Sequence, residues 1–256
     1  MTADHTIDGF LGGRLRLRQP KTGYRAGVDP VLLAAAVPAR AGQTVLELGC
    51  GGGTALLCLG ARVAGLGLTG VELQPDYHAL AVENAALNGM VADIRCADLR
   101  ALPADLRQKR FDHVLMNPPY FDRTASTPAT DDGRDIALGG GTSIDDWITA
   151  GAKRLAPKGM LTLVQRIERL PECLAAATAR LGSVAVCAIA PRHGREPALF
   201  LIQARKGGRA AFRLLPPLVL HSGDRHGADG DDYTPEVSRV LRHAAALDVF
   251  SPKRPV

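Results

Sequence analysis

Thr44-Val45-Leu46-Glu47-Leu48-Gly49-Cys50-Gly51-Gly52-Gly53-Thr54 is the stretch that decides the fold. Its first five residues read as a short buried strand. The glycines after Leu48 make a turn through which backbone can approach a ligand closely, and a helix opens at about Thr54. Outward from it, Leu68 to Glu72 is the next strand and Asp76 to Asn88 a helix, with Gly89 just past its end. Strands follow at Ala92 to Cys96 and Asp112 to Met116. A polar loop at 122–143 leads to a helix over Asp145 to Leu155, a strand over Met160 to Gln165 and a helix over Pro171 to Leu181. Val184 to Ala190 and Ala198 to Ala204 complete seven strands. Strands alternating with helices at this spacing predict an α/β fold, a doubly wound, mostly parallel seven-stranded sheet of Rossmann-like type. The two consecutive final strands predict one antiparallel edge.

Before this unit, residues 10–25 read as a strand and turn in which Leu15 and Leu17 alternate with Arg14, Arg16 and Arg18. Asp29-Pro30 then opens the apolar helix Val31 to Val37, with Asp29 placed to cap it. A polar loop at 221–235 and a short helix from about Pro235 to Ala246 close the chain. The expected organisation is an N-terminal extension over 1–40, a cofactor-binding domain over 41–220, and a C-terminal loop and helix over 221–256 packed on that domain.

With 256 residues, 46% of them hydrophobic and 22% charged, composition is that of an ordinary globular protein with enough chain for a sizeable core. Cys50, Cys58, Cys96, Cys173 and Cys187 are scattered, odd in number and without a C-x-x-C pair. They read as buried, reduced thiols of a cytoplasmic protein, neither a zinc site nor a disulfide framework. Met1-Thr2-Ala3-Asp4-His5 has no apolar signal region, and no apolar run is long enough to span a bilayer. The net charge of +5 is unevenly spread. Arg14, Arg16 and Arg18 belong to one basic block, and Arg192 and Arg195 to a second, which fits a polyanionic partner or an ordinary solvated surface equally.

The glycine spacing selects the cofactor. A dinucleotide turn wants G-x-G-x-x-G. Here Gly49, Gly51 and Gly53 alternate, the sixth position is Thr54, and the acid Glu47 stands just before the turn. Glu72 ends the next strand about 20 residues on, where this fold puts a ribose-binding carboxylate. A carboxylate accepts both ribose hydroxyl protons. Asp98, past the third strand, is placed to accept from an adenine amino group. Acid-x-G-x-G-x-G after the first strand of such a sheet resembles the S-adenosylmethionine-dependent methyltransferases.

Asn117-Pro118-Pro119-Tyr120 follows directly on the fourth strand. Prolines lack the N–H a sheet needs, so the strand must end at Asn117 and turn out. A side-chain amide, carbonyls and an aromatic ring then stand together at a strand's carboxyl end, which suits an exocyclic amine on a flat group. In the amino-methyltransferases that this chain resembles, the Asn117 oxygen and the Pro118 carbonyl would accept the two amine hydrogens, and Tyr120 would stack on the ring. Asn117 would also line the cofactor site. Neither a strong base nor a metal is needed, because alignment of donor and acceptor supplies much of the rate.

Together with Gly23-Tyr24-Arg25-Ala26-Gly27-Val28-Asp29, Leu214-Leu215-Pro216-Pro217-Leu218-Val219-Leu220-His221 and Tyr233-Thr234-Pro235-Glu236, these motifs make residues from about 7 to 220 resemble the bacterial tRNA1(Val) adenine N6-methyltransferase family. The resemblance implies methylation of N6 of an adenosine just 3′ of a tRNA anticodon, with Tyr24-Arg25 near the cofactor. Phosphates around an exposed loop would then meet Arg14, Arg16, Arg18, Arg192 and Arg195. Competing readings are a protein glutamine N5-methyltransferase, a ribosomal guanine N2-methyltransferase and a non-catalytic module that binds S-adenosylmethionine or RNA. The first usually carries a larger N-terminal domain than the about 40 residues available here, and the second a duplicated domain. Intact glycines and Asn117 argue against the third. His113 and Trp147 read as packing residues. Asp131-Asp132 and Asp231-Asp232 read as solvated loop acids, since neither pair is spaced as metal ligands are.

Overall fold

The computed structural model describes residues 5–120, 141–223 and 232–251. It opens with a hairpin, β1 (His5–Phe10) and β2 (Leu15–Pro20), then helix α1 (Asp29–Ala36). The alternating unit follows: β3 (Thr44–Leu48), α2 (Thr54–Arg62), β4 (Gly67–Glu72), α3 (Pro75–Leu87), β5 (Ala92–Cys96), α4 (Ala104–Gln108) and β6 (Phe111–Met116). Beyond come α5 (Ile144–Arg154), β7 (Leu155–Arg166), α6 (Leu170–Thr178), β8 (Gly182–Ala190), β9 (Leu199–Arg205), β10 (Arg213–Val219) and α7 (Pro235–His243). Asp131, Asp132 and Asp231 lie outside the described residues, as do most of the loops that hold them.

One sheet runs in the order β10-β8-β9-β7-β6-β3-β4-β5. The chain steps outward from β3 through β4 to β5, then returns to place β6 on the other side of β3. That reversal leaves a crevice outside the carboxyl ends of β3 and β6, the place where such sheets bind ligands. β3 pairs in parallel with both β4 and β6, and Leu48 stands opposite Met116, so the glycine turn and Asn117 leave the sheet side by side.

Both faces of the sheet are covered. Val45 and Leu115 pack with α1, α2 and the hairpin residues Leu15 and Leu17, which are fully buried. Leu46, Leu48 and Val114 pack with Trp147 and Ile148 of α5 on the opposite face. Alternation along β3 therefore turns Glu47 to the α2 side. Helix α1 is apolar all round and buried from Pro30 to Ala36, as a helix wedged between other elements must be. Its last carbonyls are satisfied from afar: Arg62 donates to Ala34 and Val37, and Gln203 to Ala36.

Three expectations are corrected in detail. The N-terminal strand is a two-stranded hairpin. The antiparallel strand is not at an edge: β9 sits between β7 and β8 and is antiparallel to both. Phe200 to Ala204 are all buried, which requires neighbours on both sides. The seven strands gain an eighth, β10, which pairs with β8 in parallel and slips register between Leu215 and Leu218. Pro216 and Pro217 lie at that slip, and their missing N–H groups are tolerable only on an outer strand.

Candidate active site

The glycine turn is shaped by left-handed backbone: φ is +65° at Gly49, +53° at Gly51 and +86° at Gly53. Two of these positions differ in their surroundings. A Cβ on Gly49 would come within 2.3 Å of the Trp147 ring, so the indole closes the back of the turn. A Cβ on Gly51 would meet nothing within 4 Å. The turn is thus braced behind and open in front.

The two acids have separate tasks. Glu47 is 2% exposed, and its Oε2 accepts the Leu56 N–H at 2.8 Å, satisfying an orphan donor in the first turn of α2. Burial pushes its carboxyl well above the usual range; the Leu56 N–H opposes this and the Glu72 charge adds to it. Glu72 reaches back from the end of β4. Its Oε2 accepts the Gly51 N–H at 2.8 Å and its Oε1 the Gln74 N–H at 2.9 Å. Between them Cys50 is buried, and desolvation, followed by Glu47 and Glu72, drives its thiol pKa far up, which keeps it a thiol. Asp98 stands beyond β5 as expected, but its carboxylate caps the following turn through the Arg100 N–H at 2.8 Å and pairs with the Arg100 guanidinium at 2.7 Å. That pairing holds the Asp98 carboxyl below its usual range.

Across the crevice, Asn117 leaves β6 with its Oδ1 buried and without a hydrogen-bond partner. Its Nδ2 lies 3.5 Å from the Tyr24 hydroxyl. A buried amide oxygen left unpaired costs about 1–3 kcal/mol, so the fold gains nothing from it. The Pro118 carbonyl does not stand free as expected. It accepts from Gln165 Nε2 at 3.1 Å, and the same nitrogen lies 3.3 Å from the Pro119 carbonyl. A carbonyl carries two lone pairs, so Pro118 retains one. Gln165 ends the buried run of β7 with no exposed surface, and it fixes the double-proline corner from the neighbouring strand. The sequence reading missed it, although a glutamine closing an apolar strand was the available signal.

Tyr120 is tethered by its hydroxyl, which donates to Asp29 Oδ2 at 2.5 Å. Asp29 is not the cap it was expected to be: α1 begins at Asp29, Val28 occupies the cap position, and no side chain caps it. Burial, then Asp29, raises the Tyr120 phenol pKa far above its ordinary value. Tyr24 keeps 49% of its surface exposed while its hydroxyl turns inward to Asn117. Its phenol is raised too, by burial and then by Asp29 and Glu47. The Tyr77 hydroxyl from α3 fixes this segment, accepting the Tyr24 N–H at 2.8 Å and donating to the Tyr24 carbonyl at 3.1 Å.

The basic residues divide. The Arg16 side chain is exposed, as is Arg195 in the connection after β8. Arg14 donates to the His243 carbonyl at 3.2 Å, and Arg18 lies 3.9 Å from Glu83. Arg192 does not belong to the exposed set. It is 7% exposed, its guanidinium donates to the Ser222 carbonyl at 2.6 Å and the Gly223 carbonyl at 3.0 Å, and it pairs with Asp232. A groove of about 530 Å³ lies beside the hairpin, but its Asp8, Gln19 and Arg25 side chains are bonded among themselves.

Comparison with known proteins fits this geometry. A family described as a methyltransferase domain matches residues 45–129, from β3 past the double proline. The chain is an S-adenosylmethionine-dependent methyltransferase. It is 29% identical to the tRNA1(Val) (adenine(37)-N6)-methyltransferase of Porphyromonas gingivalis over 91% of this chain and 93% of that one. The enzyme of the same name from Tolumonas auensis is 28% identical over 75% of this chain and 81% of its own length. Among solved structures, a predicted O-methyltransferase, protein Atu636 of Agrobacterium tumefaciens, superposes with a TM-score of 0.68 at 26% identity, covering 86% of this chain and 98% of that one. The 16S rRNA N2 G1207 methyltransferase of T. thermophilus, in complex with AdoMet and guanosine, shares the fold at a TM-score of 0.57 and 20% identity, over 79% of this chain and 50% of that one.

The methyltransferase's own residues fit its methyl donor. Gly51 faces open space, Glu72 offers a carboxylate at the end of β4, and the orphaned Asn117 oxygen lies at the end of β6, the strand beside the glycine turn. When bound, S-adenosylmethionine supplies an electrophilic methyl group on a sulfonium. Among the described residues, no helix is long and apolar enough to cross a membrane, and no group of three His, Cys, Asp or Glu side chains is arranged to hold a metal.

Proposed function

We propose that this methyltransferase modifies the exocyclic N6 amine of an adenosine in a tRNA anticodon loop. The reading is carried by the buried Asn117 Oδ1, which has no partner beside the cofactor turn. In it, Asn117 Oδ1 and the second lone pair of Pro118 each accept one hydrogen of the amine. Two acceptors in fixed positions hold the NH₂ group so that its lone pair faces the methyl group. They also stabilise the positive charge that grows on nitrogen, which is where preorganised dipoles act most strongly. Tyr120, held by Asp29, presents its ring to the base. Glu72 holds the donor's ribose, and Gly49, Gly51 and Gly53 let the donor approach the backbone. The likeness to two enzymes named for adenine N6 methylation of tRNA supports the choice of substrate.

RNA would reach the crevice across a basic surface. A base inside a stacked helix is out of reach, so a loop base must be splayed out or flipped into the site. Arg16 and Arg195 are exposed and free to meet phosphate, and Arg14 and Arg18 flank Arg16 on the hairpin. Incubation with isotopically labelled methyl donor and either total RNA or total protein, followed by nucleoside mass spectrometry, tests the proposal. Label in N6-methyladenosine of tRNA is the expected result. Label in glutamine of protein, or in N2-methylguanosine, would overturn the substrate and leave the amine chemistry standing. Replacing Arg14, Arg16 and Arg18 together by Gln should weaken tRNA binding and flatten its dependence on salt. An unchanged slope would remove the hairpin from the RNA surface.

A further inference from the structure

We infer that Asn84 is a positioning residue for the cofactor: it holds the glycine turn in its binding conformation by pinning the peptide between Gly52 and Gly53. Asn84 is 1% exposed and lies on α3. Its Oδ1 accepts the Arg18 N–H at 2.7 Å, and its Nδ2 donates to the Arg18 carbonyl at 3.1 Å and the Gly52 carbonyl at 2.9 Å. The N–H of the same Gly52–Gly53 peptide donates to the Cys50 carbonyl at 2.8 Å. This peptide plane is therefore held from both ends. A glycine on each side removes the steric barriers that would otherwise fix the plane, so hydrogen bonds must do it.

The neighbouring asparagine shows what is particular to Asn84. Asn88 stands four residues further on, at the C-terminal cap of α3. Its Oδ1 accepts the Arg16 N–H at 2.9 Å and its Nδ2 donates to the Arg16 carbonyl at 2.7 Å. Four helical residues rise ~6 Å, and two strand residues advance ~6.6 Å. The pair thus serves the edge of β2 as a substitute strand, each asparagine satisfying both backbone groups of one arginine. Only Asn84 continues to the cofactor turn. Losing either asparagine removes two bonds to the hairpin edge, while losing Asn84 alone also frees the turn. A turn that samples other conformations binds in proportion to its competent fraction.

The test compares N84A and N88A by thermal unfolding and by calorimetric titration with S-adenosylmethionine, which needs no RNA and so does not depend on the identity of the methylated amine. Both variants should unfold at lower temperature than the parent. N84A should bind S-adenosylmethionine on the order of tenfold more weakly, the effect of an unsatisfied buried carbonyl, and N88A within about twofold of the parent. In turnover, N84A should raise KM for the methyl donor and leave kcat at saturation nearly unchanged. Parental affinity in N84A overturns the inference. Equal weakening in N88A overturns it as well, because hairpin docking and not the Gly52 bond would then be responsible. If N84A does not fold, N84D replaces it: it keeps an acceptor for the Arg18 N–H, loses both donors and should show the same loss of affinity.

Discussion

Replacing Asn117 by Leu should make the protein more stable and slow its chemistry about a hundredfold or more. The substitution keeps the number and branching of side-chain heavy atoms, adds some bulk, and removes both polar ends of the side chain. Asn117 Oδ1 is buried with no partner, so its removal relieves about 1–3 kcal/mol of desolvation. Against this stands the contact of Nδ2 with the Tyr24 hydroxyl at 3.5 Å, too long to contribute much. The net gain is about 1 kcal/mol, or roughly 2–4 °C in Tm for a domain of this size. Loss of one preorganised group at developing charge costs ~10²–10³ in kcat. Urea unfolding gives the stability, and single-turnover methyl transfer with calorimetric binding of S-adenosylmethionine gives the function. Affinity for the methyl donor should change far less than the rate. A destabilised N117L would mean that Oδ1 is satisfied in the folded protein and is no orphan awaiting substrate. A variant that transfers methyl at nearly the parental rate would remove Asn117 from amine recognition.

The remaining predictions concern the turn, the tether and pH. G51A should fold, at a cost of about 1–2 kcal/mol for a left-handed alanine, yet lose affinity for S-adenosylmethionine, since its methyl group enters open space; G49A should be destabilised by several kcal/mol more, through collision with Trp147. Denaturant midpoints and calorimetry separate the two. D29N, which can still accept from the Tyr120 hydroxyl, should retain most activity, whereas D29L should lower kcat more than KM for the methyl donor; equal kinetics in both would disconnect the tether from catalysis. His113 is buried against Gln43, and burial lowers its pKa from 6.5 to about 4. The unfolded chain therefore takes up this proton first, and the His113 contribution to stability falls by about 3 kcal/mol as pH drops from about 6.5 to about 4, against an opposing contribution from Glu47, whose raised carboxyl favours the folded protein as pH falls. The depressed carboxylates Asp93, Asp98 and Asp112 act below that window. H113Q should remove this component from the pH dependence of urea stability, and an unchanged curve would refute it.

The sheet was legible because glycine and proline punctuate it. Gly49 to Gly53 and the double proline each end a strand where a side chain must face the crevice, and periodicity supplied the elements between. Neighbourhood within the sheet was less legible. An apolar run such as Phe200 to Ala204 reads alike whether it closes a sheet or lies inside it, and only the buried state of every residue reveals the inner position. In β10 the two prolines hid a strand that tolerates them because its outer edge is unpaired. Within the site, the positions of Glu72 and Asn117 at strand ends were legible, whereas the bond from Glu47 to the Leu56 N–H of α2 was not. Gln165, Asn84 and the Asp29–Tyr120 tether were not, because each acts on backbone or a side chain far away in sequence. Asp29 was misread for a related reason: an acid before proline at a helix start is ordinarily a cap, and nothing local says that a tyrosine 91 residues on will claim it.

In the proposed reading, the same residues would suit nitrogen and not oxygen, although one structural neighbour is described as a predicted O-methyltransferase. A hydroxyl nucleophile has to lose its proton as it attacks, which calls for a base at the reacting atom. Here the groups around Asn117 are poor bases. The Asn117 amide and the Pro118 carbonyl accept hydrogen bonds without taking protons. The Tyr24 and Tyr120 phenols are pushed away from ionisation by burial and by Asp29. Glu47 is tied to the Leu56 N–H, Glu72 to Gly51 and Gln74, and Asp29 to Tyr120. A conjugated amine keeps its lone pair free of protons at neutral pH and needs only to be oriented, releasing its proton after transfer. As proposed, its two hydrogens would match two acceptors, the Asn117 oxygen and the remaining lone pair of Pro118, where a hydroxyl would satisfy one and leave the other buried and unpaired.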